Sequence, residues 1–256
     1  MTDPVLPPRR VLRITGADRA KFLQGLVTSD VDRLAAGPLY AAMLTPQGKY
    51  LADFFLVETG DAILLDVAEP LAAGLAKRLS MYRLRADVQI ADAGLSATQG
   101  LGDPPAGAVA DPRHPALGWR AYGDGPAGGI DPGAWNALRV EHVIPETGVE
   151  LIPEQTFILE AGLDRLHGVD FRKGCYVGQE VTARMRHKTD LRKGLVRVAV
   201  TGAAPVGSAV TDEAGRAIGT LYTQAGGFGL AYLRFDRAQA EMTAGDAVLR
   251  WGPTSG

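Results

Sequence analysis

Cysteine is almost absent from this chain: its 256 residues contain one, Cys175. A single thiol excludes an intrachain disulfide and any metal cage built from cysteine alone, and no metal site is predicted. A strong charge of either sign is missing as well. Lys+Arg is 27 and Asp+Glu is 29, so 27 − 29 leaves −2. That balance gives no support for a nucleic-acid coat or a polybasic membrane binder, although it allows a local basic patch. Long apolar runs are lacking too. The longest uncharged stretch, Ala217 to Leu233, has 17 residues and four glycines, too short and too polar for a bilayer-spanning helix. Met1-Thr2-Asp3-Pro4 has no apolar signal core. The expectation is a soluble, cytoplasmic protein. What is present, 46% hydrophobic and 22% charged residues, suffices for two domains or three small ones, each with a core.

Periodicity organises the first hundred residues as β-α-β-β-β-α-β. Val11 to Ile14 reads as a strand, and Phe22, Leu23 and Leu26 share one face of a helix that Thr15 or Asp18 would cap. Leu39 to Leu44 and Tyr50 to Val57 form a hairpin about Thr45-Pro46-Gln47-Gly48, and Ala62 to Val67 follows. Pro70 opens a helix with Leu71, Leu75 and Leu79 inward, and Asp87 to Ala91 returns as a strand. This is a ferredoxin-like α+β layer with helices on one face of an antiparallel sheet. Residues 100–133 read as loops around one short strand, Trp119 to Tyr122. A helix begins at Pro132 or Ala134, with Trp135, Leu138 and His142 on one side. From Leu195, five short glycine-punctuated runs suggest a small β-barrel or sandwich: Leu195 to Val200, Ser208 to Thr211, Ala217 to Thr223, Gly229 to Leu233 and Ala247 to Trp251. The expected domains are 1–99, 100–190 and 191–256.

The chemistry concentrates at Phe171-Arg172-Lys173-Gly174-Cys175-Tyr176-Val177-Gly178-Gln179-Glu180, ahead of a helix through Val181, Met185 and Lys188. The thiol lies between two glycines, after two cations and before a helix N-terminus. Positive charge and a helix N-terminus both favour the thiolate, while glycine admits a backbone path or a close approach that a Cβ would block. The plainer reading is a small buried residue in a tight turn.

Lys173 to Glu180 resembles the signature of the YgfZ family, folate-binding proteins related to the T-protein (aminomethyltransferase) of the glycine cleavage system. Phe22 to Asp30, the turn ending at Gly48-Lys49, Arg139 to Glu160 and the Gly219-Thr220-Leu221 region are also similar to that family. The resemblance implies three small domains in a ring whose central hole holds tetrahydrofolate. It also implies a role in maturing or repairing iron–sulfur clusters, including those of enzymes of tRNA methylthiolation. Cys175 would be the functional thiol, with Lys173 beside it. Glu150 would be the carboxylate that pairs with a pterin; alone, it is equally a solvated loop acid. Arg139, Glu141, Tyr82, Tyr176, Gln179 and Arg184 would line the cofactor site, with Arg83 beside Tyr82. The T-protein's adjacent aspartates correspond here to Ala52-Asp53, leaving Asp53 for acid/base work or as a polar residue on the outward side of a hairpin strand.

Three functions follow. The first is a tetrahydrofolate-binding accessory protein of iron–sulfur chemistry. One thiolate cannot hold a cluster alone, so any cluster is shared with a cluster-assembly protein, a small thiol or a second copy. The second is a folate-dependent aminomethyl transferase. The third is a cysteine hydrolase using His114, His142, His167 or His187 as base, which requires an imidazole within hydrogen-bond reach of the sulfur. The basic run Arg184, Arg186, His187, Lys188, Arg192 and Lys193 reads as a solvated helix end, with no direct nucleic-acid partner.

Overall fold

The computed structural model describes residues 8–123, 130–187 and 191–252. The first strand, β1 (Arg9–Thr15), leads into α1 (Arg19–Gln24), then β2 (Leu39–Leu44), β3 (Tyr50–Glu58), β4 (Ile63–Ala68), α2 (Glu69–Tyr82) and β5 (Gln89–Asp92). The element order is the one periodicity predicts. The five strands form one antiparallel sheet in the order β2-β3-β4-β1-β5. Leu75 and Leu79 of α2 are buried and Leu71 is half-buried. Asp18 precedes α1 without capping it; its carboxylate accepts from the Asp87 N–H at 2.9 Å.

Both faces of this sheet are covered. Along β2, Ala41 and Met43 enter the core under α1 and α2, while Tyr40, Ala42 and Leu44 enter a second core with Trp135, Leu151, Leu163 and Leu166. In β3, Ala52 and Phe54 face the first core, Tyr50 and Phe55 the second. Alternation of side chains along a strand divides these residues between the two cores, and the register shift where Met43 pairs with Ala52 and Leu44 with Tyr50 puts Tyr50 on the side of Phe55. The sheet face that an isolated ferredoxin-like layer would leave to solvent is therefore interior.

The segment after β5 supplies that second cover. A three-stranded sheet, β6 (Ser96–Gly100), β8 (Trp119–Gly123) and β7 (Val109–Ala110), pairs in the order β6-β8-β7. Residue 99, the expected end of the first domain, lies inside β6, which pairs with β8. Helix α3 (Pro132–His142) starts where proline allows, its Ala134 N–H capped by Asp131 at 2.9 Å. It buries Trp135, Asn136, Arg139 and Val140. The Trp135-Leu138-His142 face is thus displaced toward Arg139, because this arginine has a buried carboxylate partner. After α3 the chain runs mainly in turns to α4 (Gln179–His187). The expected extension of that helix to Lys188 lies outside the described residues.

The remaining strands are β9 (Lys193–Thr201), β10 (Ser208–Thr211), β11 (Ala217–Ala225), β12 (Phe228–Arg234), β13 (Glu241–Ala244) and β14 (Ala247–Arg250). They close into a barrel in the order β10-β11-β12-β9-β14-β13, so barrel rather than sandwich is the outcome. β13 is the strand the apolar-run reading missed, since only Met242 and Ala244 of Glu-Met-Thr-Ala point inward. Gly219 is needed where β11 and β12 touch: a Cβ there would collide with the Tyr232 carbonyl oxygen and lie 2.7 Å from Leu233 Cδ2.

Candidate functional site

Cys175 is exposed. The loop that presents it is held from both sides by backbone contacts with the first sheet's hairpin and α1. Gly178 has a left-handed φ of +85°, and a Cβ at that position would lie 2.5 Å from the Thr45 carbonyl oxygen and 2.8 Å from Leu44 Cβ. Opposite it, Gly48 has φ +75° and faces Val181. These two glycines let the signature loop and the Thr45–Gly48 turn meet closely. Gly174, next to the sulfur, has nothing within 4 Å of the position a Cβ would take. The two glycines of the signature thus differ: one is required by packing, the other leaves space around the thiol.

The Lys173 side chain turns to the backbone at and after the end of α1. Its ammonium donates to the carbonyl oxygens of Gln24 and Ser29, each at 2.9 Å, and to that of Val27. Burial lowers its pKa to about 8, against the opposing pull of Asp30, Asp170 and Asp32. The chain after α1 is shaped to receive it: Gln24 Nε2 donates to Asp30 at 2.7 Å, its Oε1 accepts from the Val31 N–H at 2.8 Å, and Thr28 Oγ1 donates to the Gly168 carbonyl at 2.6 Å. Lys173 is a positioning residue that clamps the signature to the body. The Phe22–Asp30 stretch is its socket, a role that no local pattern in the sequence marks.

Tyr176 is half-buried against the second core, and burial pushes its phenol up. Its N–H donates to Gln179 Oε1 at 3.0 Å, so Gln179 closes the start of α4 instead of pointing at a ligand. Arg184 is exposed on α4. Tyr82, 38% exposed at the end of α2, and Arg83, whose Nη1 donates to the Val88 carbonyl at 3.3 Å, belong to the α2 side of the sheet. Glu141 is exposed because it lies two residues from Arg139, on the opposite side of α3. None of these six residues hydrogen-bonds to the Glu150 carboxylate, whose partners are Arg139, the Glu146 N–H and Thr223.

Glu150 and Arg139 do meet, and both are buried. Arg139 Nη2 donates to Glu150 Oε2, its Nε to the Ile144 carbonyl at 3.1 Å, and its Nη1 to Asn136 at 3.1 Å and to Thr223 Oγ1 at 3.3 Å. Glu150 also accepts from the Glu146 N–H at 2.9 Å and from Thr223 Oγ1 at 2.6 Å. Both carboxylate oxygens are therefore engaged by protein, and through Thr223 of β11 they tie α3 to the barrel. Neither the solvated loop acid nor a carboxylate open to a pterin describes this group. Beside it lies a cavity of about 230 Å³ lined by Glu150, Gln155, Lys193, Thr220, Tyr222 and Tyr232 among others, and not by Cys175. That volume is below the roughly 300–1,000 Å³ of typical small-molecule sites.

Asp53 is 3% exposed. Tyr40 donates to it at 2.9 Å, Tyr50 at 2.7 Å, and Thr147 through its hydroxyl. Neither an outward-facing strand residue nor an acid placed to exchange a proton with a substrate fits that enclosure. The reason is the second core, which covers the sheet face Asp53 shares with Tyr50 and Phe55. Next to it is an ionic cluster not anticipated from sequence. Asp66 accepts from Arg9 Nε and Arg120 Nη1, each at 2.6 Å, and from Tyr122 at 3.0 Å. Asp111 takes both arms of Arg113, at 3.0 and 2.8 Å, and Arg120 Nε at 3.2 Å. Arg120 and Arg113 lie 3.6 and 4.9 Å from the Phe55 ring centroid. Burial pushes the Asp111 carboxyl up, but Arg113 and Arg120 outweigh it and hold it at about 2. The lone acid in Ile-Leu-Leu-Asp-Val-Ala of β4 is the one signal the sequence carries for this cluster. Beside this cluster Tyr40, Phe55 and Trp135 pack around Arg113, and all four are buried.

Among the described residues no imidazole hydrogen-bonds to Cys175. His114 and His142 stack on each other, with ring centroids 4.1 Å apart. The hydrolase reading has no base. Nor do three metal-binding side chains cluster among the described residues. In the basic run, Arg186 lies 4.0 Å from the Phe171 ring centroid and 3.8 Å from Asp164, and Lys193 lies 3.8 Å from Glu160. Lys188 is outside the described residues.

With this geometry in hand, the fold matches the crystal structure of glycine cleavage system aminomethyltransferase T from Bartonella henselae. The TM-score is 0.73 at 14% identity, over 94% of this chain and 81% of that one. The class is thus an aminomethyltransferase T-like α+β fold ending in a closed barrel, and residues 192–254 match the family model "CAF17, C-terminal beta-barrel domain". The mouse iron–sulfur cluster assembly factor IBA57, mitochondrial, is 31% identical over 98% of this chain and 85% of its own length, and the human one 29% over 97% and 85%. The chain belongs to the IBA57 family of iron–sulfur cluster assembly factors. YgfZ, the family the signature resembles, is a relative of it rather than the specific match. An IBA57 homologue of Pyricularia oryzae is 31% identical over 75% of this chain, a match that spans 55% of that relative's length. These relatives are named as mitochondrial, which overturns the cytoplasmic expectation. No helix among the described residues is long and apolar enough to cross a membrane.

Proposed function

We propose that this chain acts in iron–sulfur cluster assembly or repair, with Cys175 as its working thiol. The observation that carries the reading is the sulfur's presentation. The chain's one cysteine is exposed beside an open Gly174, on a loop clamped by Lys173 and Gly178. An anchored but accessible thiol suits a ligand offered to a cluster that a second protein, a small thiol or a second copy also holds, because one thiolate cannot complete the usual four protein ligands. Here the cluster is cargo. Enzymes of tRNA methylthiolation are among the clients that the signature's resemblance suggests.

The test is complementation of cells lacking the wild-type chain, with cluster-dependent enzyme activities as readout. Cys175→Ser is expected to fold and to fail; full restoration by Cys175→Ser would remove the thiol from the function. Tetrahydrofolate is the second ligand we propose, supported by the T-like fold and by the cavity beside Glu150. The proposal is for the pterin head rather than the whole cofactor, held by lining groups other than Glu150, since both Glu150 oxygens are engaged by protein and the cavity is about 230 Å³. Titration with tetrahydrofolate checks it, and absence of saturable binding to the wild type would sink it. Aminomethyl transfer is not adopted, because Asp53 is enclosed by three hydroxyls.

A further inference from the structure

Among the described residues no element covers the outer face of α2, and that face and the turn after it carry an unusual combination of side chains. Met81 is 70% exposed, Tyr82 38% and Leu84 88%, and Leu84 holds a left-handed φ of 45°. Between Glu69 and Asp87 the sequence has no acidic residue but four basic ones, Lys77, Arg78, Arg83 and Arg85. Among the described residues none of the four is within ion-pair distance of a carboxylate. Neighbouring arginines behave differently: Arg10 pairs with Glu69 and Asp92, and Arg13 with Asp61. Two depressions, about 160 and 600 Å³, adjoin along the helix and share Gly74 and Arg78. Leu51, Pro70 and Leu71 line one end, Met81 and Tyr82 the other. At Gly74 a Cβ would meet nothing within 4 Å, so the missing side chain leaves a notch between them.

We propose that this groove docks an acidic, amphipathic segment of a partner protein, its apolar side chains seated along Gly74 and its carboxylates over Lys77 and Arg78, the two cations that line it. An apolar concave floor rimmed by unpaired charges of one sign is the arrangement that recognises a helix by both shape and charge. A flat anionic membrane would use the cations but leave the notch empty. The proposal itself stands apart from the chemistry of Cys175.

The probe is a fluorescein-labelled helical peptide of glutamates with leucines along one face, titrated into the full chain. Controls are a lysine counterpart and phosphatidylserine vesicles. Gly74→Trp fills the notch and leaves the charges; Lys77→Glu with Arg78→Glu reverses the charges and leaves the notch. Both changes are at the surface, and thermal melts matching the wild type verify the fold. The acidic peptide is expected to bind, each variant to weaken it at least about tenfold, and added salt to weaken it further. No binding, equal binding of the lysine peptide, or affinity unchanged by Gly74→Trp overturns the proposal. Binding to the vesicles without competition by the peptide would reassign the face to a membrane.

Discussion

The Arg139–Glu150–Thr223 clasp and the Cys175 loop are held by different physics. In the clasp, ionised side chains are buried and every partner is protein, so its contribution is rigidity between α3 and the barrel. In the loop, anchoring comes from backbone carbonyls and glycine contacts, and Cys175 stays exposed to solvent. A charge placed in the interior has to be fully paired, whereas a thiol that meets a second molecule has to be reachable. The two carboxylates that family likeness marks, Asp53 and Glu150, lie on the interior side of this division.

The largest effect that tests the contrast is Glu150→Ala. It leaves the buried Arg139 guanidinium with only the more distant Glu146 carboxylate, 3.8 Å from its Nε, and chemical denaturation should show a loss of about 3 kcal/mol. A loss below about 1 kcal/mol would mean that the clasp is not what joins barrel and body.

Acid comes next. Asp111 titrates at about 2 in the fold and near 3.9 in an unfolded chain. The unfolded state therefore binds the proton first. The stabilisation is fully present above about pH 4 and disappears as pH falls toward 2, on the order of 2 kcal/mol in all. In Asp111→Asn that part of the acid dependence should vanish, as measured by denaturation across this range.

Within the signature loop, the two glycines should separate. Gly178→Ala places a methyl group against the Thr45 carbonyl at a left-handed φ and should cost about 1–3 kcal/mol. Gly174→Ala should change stability by less than about 0.5 kcal/mol. Similar melting points for the two variants would show that the loop is not docked on the hairpin turn. The smallest expected effect is that of Cys175→Ser, within about 0.5 kcal/mol of wild type in the same denaturation, because its side chain supports no core.

How far the sequence reveals these features depends on the range of the interaction behind each. The strands β1 to β4, helix α2 and most of the barrel follow from apolar spacing and turn residues, as in Leu39–Leu44 and Ser208–Thr211. The signature's place before α4 was legible in the same way. The roles within it were not: Lys173 looks like a neighbour of the thiol along the chain, yet its ammonium reaches carbonyls more than 140 residues away. Glu141 and Arg139, two apart, read alike as lining candidates, but helical geometry separates them. The polar strand β13 escaped notice because half of its residues face water.

By itself the amino-acid sequence determined the element order, the closing β-rich segment and the place of the lone thiol, since those depend on local periodicity, turn chemistry and composition. Only the tertiary structure decided that Asp53 and Glu150 are interior, that Lys173 is a clamp, and that no element among the described residues covers the outer face of α2. Each of those outcomes depends on which distant groups come within a few ångströms of one another, and hydrogen bonding and desolvation act at that range, whatever the separation along the chain.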